Sequence, residues 1–500
     1  MARHTKKRAA WHAAGVCIVA VWLVLAGLLV RKVYFAGSPA GDMEAPGPVE
    51  ETQREWKEIF LKGRKVGYSV NFIHPDADGY TIQEEIFLKI DLMGLASGVY
   101  AMTRCRVDPQ FGLRRFQFKM TSGAVSFEAS GRVEGGWILI EAGGKGDGPV
   151  RRIPIEEPPV LAVSLAHYFR SRPLRVGDVF RFPIFDPSTM SRKEAEVRVA
   201  SREDVEVRGI SYKAFRLETE LWGNTLTFWL DENGGTLKET GFMGLTAVRS
   251  SAAVAPENIQ GSGEVDFYEL SAVKPDRTLP RPRKLTYLKV RLGGIEDVPI
   301  ARNVWDGDRQ RYSEPVMVVE REELPSIPAG PGSDAGGKQD FEEELAPDFN
   351  IESEHEEIVQ TARTIVGEEQ DPLGMVRLVL SWVYESLEKR PVVSIPSALE
   401  VLRTKVGDCN EHATLTTALL RALGIPTRIA VGLVYLRGRF YYHAWNEAYA
   451  GSWVSLDATL NQMPVDATHI KLLEGNLDKQ VDVIGLIGRL EIEVLEWRHD

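Results

Sequence analysis

Three residues in the last fifth of the chain, Cys409, His443 and Asp457, could together carry out covalent chemistry. Cys409 lies in the run Gly407-Asp408-Cys409-Asn410-Glu411-His412-Ala413, and Ala413, Thr416, Leu420 and Leu423 continue it at helical spacing. Asp408 is a helix cap by type, and Gly424-Ile425-Pro426 ends the pattern, so Cys409 is predicted in the first turn of a helix. A thiol there feels the positive end of the helix dipole, which lowers its pKa. Glu411 in the same turn opposes that, so the thiol needs a cationic neighbour.

Two predicted strands supply one. Thr427–Tyr435 is apolar and β-branched, Arg437-Gly438-Arg439 makes a turn, and Phe440–Tyr449 carries His443-Ala444-Trp445. Gly451-Ser452 turns the chain into Trp453-Val454-Ser455-Leu456-Asp457. His443 and Asp457 stand seven residues to either side of Ala450. A hairpin centred near Ala450 or Gly451 sets them roughly opposite on one face, with Cβ atoms about 5 Å apart. Asp457 can then hold one imidazole nitrogen and leave the other for Cys409, the nucleophile, base and orienter arrangement of thiol catalysis.

Plainer roles compete. Cys409 could be a buried helix cysteine, but its polar neighbours argue against an apolar site. His443 could be a packed strand histidine, and Asp457 a turn cap. His412, three residues from Cys409, has no orienting acid by spacing and reads as structural. Zinc on Cys409, His412, His443 and Asp457 is disfavoured because Cys-x-x-His lacks a second matched pair.

The runs GDCNEHA, ALLRALGIPTR, HAWNE and GSWVSLDAT resemble the transglutaminase-like superfamily, especially its bacterial members, over residues from about 350 to 465. The resemblance implies Cys409 as nucleophile, His443 as base and Asp457 as its orienter. It also implies a papain-like α+β core, with the Cys helix packed on an antiparallel sheet. Calcium serves some animal relatives, but no clustered oxygen-ligand loop is present here, so no cofactor and no metal is expected. The default oxyanion donor is the Cys409 backbone N–H.

The surrounding elements must hold these groups. Ser353 with Glu356, Asp371 with Pro372, and Ser397 with Glu400 read as three further helix starts. Upstream, residues 55–275 read as a large, mostly antiparallel β domain: Phe116–Met120 and Glu194–Val199 alternate, and Asp231–Gly235 is a turn between strands. A helical patch, Val160–Phe169, interrupts it. Cys105, in an alternating run, reads as a core residue, and His74 and His167 as isolated histidines. Residues 284–500 are expected to form the second domain, with strands from 284 and a Pro/Gly loop over 325–340.

At the start, residues 1–12 are a basic tail, and Ala13–Val30 is uncharged and long enough to span a bilayer. A signal-anchor helix over 13–32 is expected, followed by a linker over 33–54. Basic residues before the run place the remainder outside the inner membrane, in the periplasm. The longer apolar run and Arg31-Lys32 after it argue against a cleaved signal peptide.

At 500 residues the chain needs more than one core. Its 44% hydrophobic and 26% charged residues are those of a globular protein, and a net charge of −11 without a basic stripe argues against nucleic acid. Three cysteines make no disulfide framework. The sequence therefore points to a membrane-anchored thiol enzyme acting on amide bonds of an envelope protein or peptide. A non-catalytic binding or assembly module on the same fold is the alternative.

Overall fold

The computed structural model describes residues 51–499, apart from positions 93–94, 124, 143–149, 171, 222, 264, 296–301, 303, 326–340 and 476–480. The expected membrane segment and most of the Pro/Gly loop lie outside the described residues. Among those described, no helix is long and apolar enough to cross a membrane.

Alternation of apolar and polar residues gives the N-terminal half one sheet of 15 strands. The first strand, Gln53–Leu61, pairs antiparallel with Arg64–Asp76 on one side and with the last, Leu245–Ser250, on the other. The edges are Val150–Pro154 and Val160–Leu161. The sheet curls until its two wings share a core: Phe116 of one packs on Phe185 of the other, ring centroids 5.2 Å apart. Residues 155–159 carry the chain from one edge to the other, and helix α1, Ala162–Arg170, follows the second edge strand, buried on almost every side. A helix so placed must be apolar around most of its girth, and Val163, Leu165, Tyr168 and Phe169 make it so.

The expected turn at 231–235 is present. The Asp231 carboxylate accepts from the amides of Asn233 and Gly235, both at 2.9 Å. Cys105 is a core residue, its thiol pushed up to about 12 by burial. His167 is also buried, pairing with Asn71 at 2.9 Å, and burial followed by the charge of Arg170 holds it down to about 3.

The C-terminal half is α+β. Helices α2 (Glu356–Val366), α3 (Pro372–Ser386), α4 (Ala398–Thr404) and α5 (Cys409–Ala422) share one hydrophobic core with two four-stranded sheets. One sheet runs Trp453–Leu456, Arg439–Tyr449, Thr427–Leu436, Ile470–Glu474; the other pairs Leu285–Gly293 with Val316–Glu320 and with the C-terminal strand Glu491–His499. Asp371 and Ser397 cap α3 and α4 as expected. Ser353 does not cap α2: it is buried, and the His355 ring accepts from the Glu357 amide instead.

Connections between the halves are intimate. Val273 exchanges backbone hydrogen bonds with Phe440 at 2.8 Å, and Val273 and Leu279 are buried in the C-terminal core. Conversely, Phe349 and Ile395 are buried in the core of the large sheet. A fragment of residues 284–500 should therefore be less stable than one of 251–500, by on the order of 3 kcal/mol for two missing aliphatic side chains. Equal urea midpoints for the two would contradict this.

Candidate active site

Helix α5 begins in a complete capping box. The Asp408 side chain accepts from the Asn410 amide at 3.1 Å, and the Glu411 carboxylate accepts from the Asp408 amide at 2.8 Å. Gly407 is required for this, because a Cβ there would lie 2.2 Å from that of Glu411. The box fixes Cys409 as the first helical residue, half-buried. The phenol of Tyr268, in a one-turn helix Phe267–Ser271, donates to the other Asp408 oxygen at 2.9 Å. Asn446 holds α5 onto the sheet by donating to the Ala413 carbonyl (3.0 Å) and Thr417 hydroxyl (2.8 Å).

The thiol differs from expectation. Burial first, then the charges of Asp408, Glu411 and Asp457, push Cys409 well above the ordinary thiol value, while the Ala444 amide pulls the other way. The helix end alone does not outweigh desolvation and three carboxyls. Glu411 is itself buried, and burial and repulsion from Asp408 raise it toward the neutral acid. Its opposition to a thiolate is thereby blunted.

His443 and Asp457 come together as predicted, with Nε2 and Oδ2 2.7 Å apart, both buried. The route differs by two residues. Tyr449 pairs with Trp453, which centres the hairpin on Gly451, and the strand stops at Leu456. Asp457 thus reaches His443 diagonally from just beyond the strand. Its other oxygen, Oδ1, accepts from the amides of Thr459 (2.8 Å) and Leu460 (3.1 Å). The turn-capping bonds and the bond to His443 coexist on one side chain.

Burial disfavours the Asp457 charge, yet the imidazoles of His443 and His469 hold its carboxyl far below the usual range. His412 remains structural: its Nδ1 meets the Asp408 carbonyl at 2.6 Å, and burial lowers its basicity.

Sequence reasoning missed His469. It is fully buried; its Nε2 lies 3.2 Å from Asp457 Oδ2 and its Nδ1 3.4 Å from Asp466 Oδ1. The signal was an acid and a histidine three residues apart, in a loop whose return toward the site only the fold reveals. That return depends on Gly432, which pairs with His443 on one side and Lys471 on the other. A Cβ there would meet the Ile470 carbonyl at 1.9 Å. His443, Asp457 and His469 bring ligand-type atoms within 4.8 Å of one another, and each imidazole already points a nitrogen at the same carboxylate oxygen.

The arrangement offers a half-buried thiol at a helix start and a hydrogen-bonded imidazole–carboxylate pair. Residues 359–458 match the family model of the transglutaminase-like superfamily. No curated protein matches the chain. Among solved structures, it is similar to a protein from Cytophaga hutchinsonii named as a candidate cysteine protease (18% identity, 43% of this chain and 86% of that one, TM-score 0.27). It is also similar to a β-barrel-like DUF1849 protein from Brucella abortus (13%, 40% and 95%, TM-score 0.31). A third is the periplasmic domain of TgpA from Pseudomonas aeruginosa (18%, 39% and 93%, TM-score 0.24). The segment that matches the transglutaminase-like superfamily model, residues 359–458, holds Cys409, His443 and Asp457.

Proposed function

We propose that this protein is a membrane-anchored cysteine enzyme of the cell envelope that cleaves or transfers amide bonds through a thioester. The observation that carries the reading is the buried His443–Asp457 pair at 2.7 Å, set beside a thiol on a capped helix start. With the thiol raised, Cys409 rests protonated, and His443 acts as a general base when substrate arrives. The Cys409 proton passes to His443 as sulfur bonds to the amide carbon. The first-turn amide of Cys409, which has no acceptor within its helix, faces the developing oxyanion. His443 then protonates the departing amine as the C–N bond breaks. Water completes hydrolysis, or an amine completes transfer. The test is incubation with envelope extract and a labelled amine, following both label incorporation and amine release. Absence of both, with Cys409 unmodified, would leave the binding-module reading.

Anchoring rests on the uncharged run Ala13–Val30 with Arg3, Lys6, Lys7 and Arg8 before it. Protease added to spheroplasts should digest the large folded region. Survival until the membrane is lysed would reverse the orientation.

A further inference from the structure

We infer that His469 is a positioning residue of the proposed site, a buried cation that holds Asp457 in place and sets the electrostatic potential at the His443–Cys409 pair. The inference rests on the enzyme reading above and extends it to a residue outside the triad.

The geometry leaves His469 little other role. It is fully buried, as is Asp457, and Asp466 is nearly so. Two carboxyls enclosed without water need positive charge or several donors. Asp457 has two backbone donors on Oδ1 and two imidazoles on Oδ2. Asp466 accepts from the Thr468 amide (2.8 Å), the Thr468 hydroxyl (2.6 Å) and Gln462 (2.9 Å), so its position is fixed independently. An imidazole that bonds Asp457 through Nε2 and lies 3.4 Å from Asp466 with Nδ1, where it makes no hydrogen bond, answers both carboxyls by charge when it is a cation.

The charged groups around it agree. His443 faces it with ring centroids 5.9 Å apart, and Trp445 covers it at 5.2 Å. The Arg309 guanidinium binds the Asp466 carbonyl at 2.9 Å, and Lys389 acts on Asp457 from the surface. Burial opposes charging of His469, but Asp466 and Asp457 overcome it and raise it to about 9. At neutral pH the imidazolium therefore shares Asp457 with His443. That keeps the carboxylate ionised and stationary beside His443.

The experiment uses full-length protein and the rate of Cys409 alkylation by iodoacetamide as a function of pH. Removing a buried positive charge whose ring centroid lies 5.9 Å from that of His443 should raise the pH of half-maximal labelling by about one to two units at an effective dielectric constant near 20. His469→Phe and His469→Gln should both show the rise, and Asp466→Asn, which weakens the imidazolium, a smaller rise in the same direction. Turnover in the amine assay should fall about 10- to 100-fold in His469→Phe through kcat, the range for losing a hydrogen bond to a charged group. A role confined to packing would lower rates without moving the pH profile, and that result would overturn the inference. So would one equivalent of tightly bound metal in the purified protein. If His443→Ala abolishes turnover while His469→Gln leaves the profile and kcat unchanged, the enzyme reading stands and this inference fails. If His443→Ala changes nothing, the enzyme reading fails first.

Discussion

Cys409→Ala should reduce amine release and amine incorporation to background, and His443→Ala should lower them by about 10⁴- to 10⁶-fold. In the proposed mechanism the thiol is the atom that bonds to substrate. No other described cysteine can replace it, because Cys105 is buried in the other core. His443 must both accept the thiol proton and return it to the amine, so its loss stops two steps. Asp457→Asn should cost about 10⁴-fold, since the neutral amide neither fixes the tautomer nor stabilises the imidazolium. These losses act as one unit: Cys409→Ala combined with His443→Ala should be no slower than either alone. Single-turnover measurements of amine release would check this. Circular dichroism should stay unchanged for Cys409→Ala, because the half-buried thiol contributes little to the core. Activity surviving in Cys409→Ala would place the chemistry elsewhere.

The second large effect is on stability against pH. His469 has a folded pKa of about 9, above its ordinary 6.5, so its contribution is fully present below pH 6.5 and is lost as pH rises through 9. A rise of that size corresponds to about 3 kcal/mol. Asp466 shifts the other way, down to about 2 against burial, chiefly through His469. Its contribution is present above pH 4 and is lost as pH falls toward 2. Both shifts describe one contact and are not summed. The urea midpoint of the C-terminal half should thus be highest between about pH 4 and 6.5 and fall steadily to pH 9.5. In His469→Phe the alkaline fall should largely vanish. An unchanged slope in that variant would mean that another group titrates.

Local signals in the sequence proved dependable at several helix starts and turns, though not at Ser353, where His355 caps the helix. Asp408 and Glu411 sit three residues apart, and the cap they form is a matter of one turn; the same holds for Asp371 with Pro372 and for the Asp231–Gly235 turn. The His443–Asp457 pairing was legible because a hairpin converts sequence distance into spatial distance. Of the two centres that the spacing allowed, Ala450 and Gly451, the turn selects Gly451, and the early end of the strand at Leu456 leaves Asp457 to approach diagonally; neither is fixed by alternation alone. What was not legible depended on long-range packing. The thiol's pKa depends on how much water the fold removes, which no spacing reports. His469 reaches Asp457 only because its strand pairs with Thr427–Leu436 across an intervening loop. The mutual burial of Val273 in one core and of Phe349 and Ile395 in the other is likewise a property of the assembled chain.

That last exchange bears on how the protein is made. A ribosome delivers the 15-stranded sheet before it delivers Phe349 and Ile395. Until some 150 residues beyond the last strand of that sheet have emerged, its interior lacks two of its plugs. The nascent sheet must wait in an incompletely sealed state, a substrate for chaperones and proteases. Release from that surveillance is tied to arrival of the segment just before Cys409. A chain that ends before Ile395 would leave that core open, and a molecule whose first half has just closed still has Cys409, His443 and Asp457 to receive.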